Sequence, residues 1–357
     1  MFDFDDCIKH DSKEYNDTEF LFMFCLRHES FFKFVEMIQN DPIFHKRKFK
    51  KARPVEHQLL VFLYRIGREG VGASLNSLST FFKIGKGSIR NYIKNCLKAI
   101  LKLQHQTIYW PSQSERDEMK QRLMATGFRH CVGIIDGTLV CLDRRPAHHH
   151  ECYYSRKSDY SINCTIVCDD LCRVTYFLAG WPGSVHDNRV FRNTDLFQNK
   201  AKYFSTNEYL LGDSAYSSNQ IMVQAFKKTK GQADLPQRKE RFNTFLAEVR
   251  ITSEHCIGMI KGRFPSMRRL NVWIKDGKKQ VKHIVELITS CIIIHNLMID
   301  YDDKIPQEWY DEFNQQIRWD IYDDEYSSES DIDHNVDNDL EVERRREVFK
   351  HIQKFYM

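Results

Sequence analysis

Two periodicities divide the chain. From Phe20 to Gln39, Phe, Leu and Met recur with no Gly or Pro between them, which predicts one buried helix. A second helical stretch runs from Val55 to about Arg68, where Gly67, Gly70 and Gly72 close it. LNSLSTFFK then places Leu75, Leu78 and Phe82 on one helical face. Ile84-Gly85-Lys86-Gly87 breaks that helix, and Ser88 is the expected cap of the next. There Ile89, Tyr92 or Ile93, Cys96 and Ile100 face inward, while Arg90, Lys94, Lys98 and Lys102 project from the other side. Two helices joined by a short Gly-bearing turn, the second one basic, make a helix-turn-helix layout, a pattern shared by ordinary helical hairpins. Lys86, Arg90 and Lys94 are its candidate DNA contacts.

WPSQSERDEM at 110–119 opens a linking helix, with Ser112 or Ser114 as cap. From Phe128 the period changes from 3.6 to 2. HCVGIIDGTLVCL (130–142), YSINCTIVC and RVTYFLAG read as a three-strand meander, the last two joined by Asp169-Asp170-Leu171. A helical stretch (186–197), a short strand EYLLGD (208–213), a helical run from about Asn243 to Arg263 and an apolar helix (281–299) follow. Strands first, then alternating strand and helix, predict an α/β domain with a mixed sheet flanked by helices, preceded by an all-α region. The expected organisation is a helical segment with a basic cluster at 1–54, the helix-turn-helix at 55–110 and a helical linker at 111–127. The α/β domain covers 128–300 and an acidic tail 301–357.

Composition narrows the function. With 42% hydrophobic and 13% aromatic residues, the 357-residue chain can bury a real core, which excludes global disorder. No apolar run approaches the ~20 residues of a membrane span. MFDFDDCIKHD carries acids where a signal peptide has its positive charge, so secretion is not expected. Eleven cysteines without framework spacing predict free thiols in a reducing compartment. The net charge of +4 conceals an asymmetry: residues 300–343 hold 17 Asp/Glu against 2 Lys/Arg, whereas residues 1–299 hold 46 Lys/Arg against 31 Asp/Glu. A basic body suits a polyanion such as nucleic acid. The acidic segment is expected to be solvated and poorly ordered, serving solubility or competing for the basic surface. HKRKFKKAR at 45–53 suits phosphate contact, a nuclear address or a solvated loop equally.

Three acids carry the candidate chemistry. Asp136 interrupts an apolar strand, where a charge is costly unless paired or holding a metal. Asp213 falls at the carboxyl end of EYLLGD, where α/β sheets place chemistry. Glu254 lies in a helical run in which Ile251, Ile257 and Ile260 can face the sheet. Taken singly, each has a plain structural role: a turn residue, a helix cap, and half of an Arg250–Glu254 surface pair. Taken together, an acid on the first strand, one at the end of the fourth and one on a following helix form a ribonuclease-H-like layout. Such hard oxygen ligands can hold two Mg²⁺ ions ~3.5–4 Å apart, clamping the attacking and leaving oxygens of a phosphodiester.

VGIIDGTLV, GWPGSVHDNRVFRNTDLF, YLLGDSAY, RFNTFLAEVRITSEHCIGMIKGRFPSMRRL and CIIIHNLMI, in that order, resemble the DDE endonuclease domain of PIF/Harbinger transposases and their domesticated relatives. The resemblance runs from about residue 55 to 300, including the helix-turn-helix. It places the catalytic, metal-holding acids at Asp136, Asp213 and Glu254, with His186 and Asp187 in support, although Asp187 also reads as the cap of its helix. It implies a Mg²⁺- or Mn²⁺-dependent nuclease acting in the nucleus on terminal inverted repeats. The freed 3′-OH would join A/T-rich target DNA, with a Myb-like partner protein and a homo-oligomer on DNA. Arg250, Lys261 and Arg263 would lie near the DNA backbone, adding affinity but no sequence information. In KKTKGQADLPQRKER (227–241) no fifth strand is evident, and the acidic tail is outside the family pattern.

His148-His149-His150 with Cys152 lacks the second ligand pair of a zinc site. Cys164 and Cys168 share one strand face and read as small buried hydrophobes, as do Cys131 and Cys141. A second reading of the chain is a domesticated, catalytically silent DNA- or chromatin-binding protein with the same fold.

Overall fold

The computed structural model describes residues 2–9, 15–45, 53–228, 234–309 and 347–350. The basic cluster at 46–52 and the acidic tail from 310 to 346 lie outside them.

The strand alternation read from the sequence builds one sheet. β1 (Cys131–Leu142), β2 (Ser161–Cys168) and β3 (Val174–Pro182) form the antiparallel meander; β4 (Tyr209–Leu211) runs parallel to β1 on its other side. The order of these four is β3-β2-β1-β4. Two short strands were not evident in the sequence. β5 (Met222–Val223) pairs parallel with β4, and β6 (Arg269–Leu270) pairs parallel with the end of β1. Each has two residues, too few to show a period of 2.

The helices that matter here are α1 (Asp17–Phe24), α2 (His28–Ile38), α3 (Val55–Ile66), α4 (Leu75–Phe82), α5 (Lys86–Leu101), α6 (Gln113–Arg122), α7 (Asp187–Arg192), α8 (Asp195–Gln198), α9 (Gln237–Arg263) and α10 (Lys278–Asp300). The single helix expected over Phe20–Gln39 is two. Cys25 adopts a left-handed backbone, φ 67°, and stops α1. Its thiol lies against Gly67, where a Cβ would meet Sγ at 2.6 Å. α5 is capped by Gly85 rather than Ser88, with no side-chain bond at its start. α6 begins as expected at Ser112, in a capping box with Glu115.

The two sheet faces bury different partners. Ile134, Val140, Ile162, Cys164 and Ile166 join α9, α10 and the N-terminal helices in one apolar cluster. Ile135, Val167 and Leu210 face a smaller cluster with Phe191 and Leu196 of α7 and α8 and with Tyr216. All eight β2 residues are buried, as a strand covered on both faces requires. Ile251, expected to face the sheet, is 57% exposed; Ile257 and Ile260 are buried with Leu246 and Val249. α10 has the length and composition of a membrane span, but Ile284 and all of Leu287–Met298 are buried in the core. Asn296 fixes α10 in place: its amide donates to Thr107 O and Val174 O, each at 2.8 Å, and accepts from Val174 N at 3.0 Å.

Candidate active site

Alternation along β1 turns Asp136 toward the α9 side with Ile134, while its backbone pairs with Ile166 of β2. Burial pushes its carboxyl up to about 7. Arg250 opposes that rise, and Asp213, Glu254 and Asp187 reinforce it. Asp213 at the end of β4, Glu254 on α9 and Asp187 on α7 thus lie close enough to Asp136 on β1 to raise its pKa, although the four are far apart in sequence.

Each has its own support. Asp213 follows β4 by two residues and its Oδ1 accepts from Ala215 N at 2.9 Å, closing a turn. Asn188 of α7 ties that turn down: its amide donates to Ser217 Oγ at 2.8 Å and accepts from Ser217 N at 3.1 Å. Glu254 Oε1 lies 3.8 Å from Arg250 Nη2, one helical turn earlier. Arg250 Nε is buried without a hydrogen-bond partner, so this guanidinium lies among the acids with donor capacity unused.

Asp187 does not cap its helix. His186 holds the cap position, its Nδ1 accepting from Asn188 N at 3.3 Å. The Asp187 carboxylate instead turns to the sheet, where Asn163 Nδ2 donates to Oδ1 at 2.7 Å. Burial raises its pKa, and the Asp213 charge adds to the rise. Beside it the Tyr216 hydroxyl is buried with no partner. Its pKa is raised well above the usual tyrosine value by burial and by Asp187, Asp213 and Asp136. Tyr216 is a site residue that sequence reasoning missed. YLLGDSAY contains it, but only the fold reveals that its ring packs inward against Phe191.

Two of the expected DNA contacts are corrected. Arg263 is buried, its Nη1 donating to Cys25 O at 2.7 Å and to Asp303 Oδ1 at 3.1 Å. Lys261 is also buried, donating from Nζ to Leu139 O at 2.8 Å, and burial lowers its pKa to about 8. Both cations brace the fold and neither presents its charge to a polyanion. Lys86, Arg90 and Lys94 are exposed on α5. His148, His149 and Cys152 are exposed, and Arg145 Nη2 contacts the His150 ring. Among the described residues no three His, Cys, Asp or Glu side chains stand at ligand distance around one point, at the histidines or at the acids.

The family described as DDE superfamily endonuclease matches residues 135–296, from β1 through most of α10, a span that contains Asp136, Asp187, Asp213 and Glu254. Residues 135–296 are a DDE superfamily endonuclease domain. The sheet order and its flanking helices fit the ribonuclease-H-like form of that domain. The chain is also similar to "Protein ALP1-like" of Arabidopsis thaliana, 22% identical over 66% of this chain and 59% of that protein. "Putative nuclease HARBI1" is 22% identical in Mus musculus, over 71% of each chain. In Homo sapiens the protein of that name is 20% identical, over 84% of this chain and 81% of its own. No solved structure matches the chain. The PIF/Harbinger resemblance thus holds for the endonuclease domain, which places Asp136 at its first strand and Glu254 on its long helix.

Proposed function

We propose that the endonuclease domain hydrolyses DNA phosphodiesters at Asp136, Asp213 and Glu254, using Mg²⁺ or Mn²⁺. The observation that carries this reading is the grouping of acids at Asp136: a half-buried carboxylate in an otherwise apolar strand, with Asp213, Glu254 and Asp187 raising its pKa and Arg250 opposing them. Like charges held this close raise the free energy of the fold near neutral pH. A divalent cation would reverse the cost, and an all-oxygen donor set suits a hard one. Asp136, Asp213 and Glu254 would hold it, which requires their carboxylates to turn inward, since they do not converge on one point in this structure. When bound, the metal supplies a polarised phosphate and an activated water.

The chain's own groups do the rest. Asn188 and the Asp213 turn fix one wall through the Ser217 bonds. Asn163 and Asp187 brace β1 from its opposite face, and Arg250 supplies a positive charge on the α9 side. The basic body recruits DNA, with Lys86, Arg90 and Lys94 on the exposed face of α5 as contacts that carry affinity. In this reading the chain works in the nucleus on terminal inverted repeats and joins the freed 3′-OH to an A/T-rich target. It acts as an oligomer on DNA with a Myb-like partner, as the family resemblance implies.

A second reading, a DNA- or chromatin-binding protein without cleavage, is favoured by one contact. Arg250 already supplies Glu254 with a cation at 3.8 Å. A nicking assay on DNA carrying candidate terminal repeats separates the two. Metal-dependent nicking lost in Asp136→Asn, with DNA binding retained, supports the nuclease. Binding without nicking at any Mg²⁺ or Mn²⁺ concentration leaves the silent reading.

A further inference from the structure

The strand that carries Asp136 runs past Leu142 into an exposed loop beside the segment that follows β6. Asp143 N donates to Leu270 O at 3.0 Å and Ala147 N to Ile274 O at 2.9 Å. Asn271 Nδ2 donates to Asp143 Oδ2 at 2.7 Å. Between these anchors stands Trp273. Its indole N–H donates to Arg145 O at 3.1 Å, which fixes the ring, yet the residue is 41% exposed. The Arg144 guanidinium lies 6.0 Å from the ring centroid and the Lys275 ammonium 4.3 Å. Arg145 is exposed in the first of these segments, and Lys278 and Lys279 are exposed at the start of α10.

We propose that Trp273 is a stacking platform for an unpaired DNA base, with Arg144 and Lys275 receiving the phosphates on either side. The proposal rests on the reading of this domain as a DNA nuclease. An aromatic ring held rigid, open to solvent and flanked by cations is how proteins grip single strands without reading sequence, because every base has a π face. Lys275 uses the same electron-rich surface that a base would cover, and its flexible stem lets the ammonium exchange the ring for a phosphate.

Position agrees with the role. Leu142 lies six residues beyond Asp136 on β1, and at ~3.3 Å per residue the loop begins ~20 Å from Asp136. That is about six nucleotide steps of ~3.4 Å along a strand. A duplex keeps its base faces stacked, so the platform selects a frayed or cleaved end.

The test is binding without added metal, which prevents cutting. Fluorescence anisotropy would follow a labelled single-stranded oligonucleotide and its blunt duplex with wild type, Trp273→Ala, Trp273→Phe, and Arg144→Ala with Lys275→Ala. Trp273→Ala is expected to weaken single-strand binding about tenfold and duplex binding less than twofold. Trp273→Phe should retain most of the single-strand affinity, which shows that the loss is not misfolding. The double cation variant should weaken both ligands and flatten the salt slope. Equal losses on both ligands in Trp273→Ala, or no loss on either, would overturn the proposal; so would single-strand binding too weak to measure in the wild type. Nicking is scored separately. Its absence with Trp273-dependent binding intact refutes the nuclease alone, and its presence with Trp273-independent binding refutes the platform alone.

Discussion

The carboxylate of Asp187 lies over the bare Cα of Gly137: a Cβ there would meet Oδ1 at 2.5 Å and Oδ2 at 2.8 Å. Asp136 and Gly137 point to opposite faces of β1, so two acids approach one strand from its two sides and the glycine makes room for the second. Asn163 holds Oδ1 at 2.7 Å, so the carboxylate cannot swing aside without losing that bond. Gly137→Ala should therefore destabilise by ~1–3 kcal/mol and abolish nicking. Gly137→Ala combined with Asp187→Ala should regain most of the stability in urea denaturation while staying inactive. A stable, active Gly137→Ala protein would show that Asp187 has no positional role.

Asp136 gives a pH dependence with a definite sign. Its folded pKa, about 7, is above the ordinary 3.8, so the native state holds a proton that the unfolded state has released between those values. Stability from this group is present below about pH 4 and falls as pH rises to about 7, by on the order of a few kcal/mol. Asp136→Asn should remove that fall, giving a higher melting temperature than wild type at pH 8 and little difference at pH 4. Mg²⁺ should raise the wild-type melting temperature at pH 8 and leave the variant nearly unchanged. Parallel pH curves for the two proteins would rule out the buried charge as the cause.

Arg250 should behave as an internal counter-ion. It lowers the Asp136 pKa against burial and three like charges, and it lies 3.8 Å from Glu254. Arg250→Met should cost most above pH 7, where the acids are ionised. Mg²⁺ should recover a larger share of that loss than it adds to the wild type. Thermal melts at pH 5 and pH 8, with and without Mg²⁺, measure this. A loss independent of pH and metal would mean that Arg250 contributes only packing.

What was legible in the sequence follows from where the signal resides. β1 to β4 alternate over enough residues to show their period, and Asp136 stands out because it breaks an apolar run. Asp213 is legible from its place at a strand's carboxyl end and Glu254 from its helical run, and the ordered family motifs tie the two to Asp136. Alternation does not show that Asp187 turns inward, because the short helix α7 and its cap at His186 read alike whichever way the carboxylate points. Burial of Lys261 and Arg263 was hidden for a related reason. Charged residues on a long helix normally face water, and here Leu139 O, Cys25 O and Asp303 draw them into the core. The break at Cys25 also has no local signal, since cysteine seldom takes a left-handed backbone.

That burial separates two classes of cation by experiment. Arg263 and Asp303 form a pair with both side chains at most 3% exposed, so Arg263→Ala strands a buried carboxylate and should cost ~3–5 kcal/mol. Its DNA affinity, measured on whatever fraction stays folded, should keep the wild-type salt slope, because the guanidinium never reaches a phosphate. Arg90→Ala with Lys94→Ala should do the opposite. Both side chains are exposed on α5, so stability should change by less than ~0.5 kcal/mol. The slope of log affinity against log salt should flatten by about two. Titrations over a range of salt concentrations, paired with urea denaturation of each variant, give both quantities. An unchanged slope in the α5 double variant would remove that helix from the DNA-binding surface and leave recruitment to the endonuclease domain.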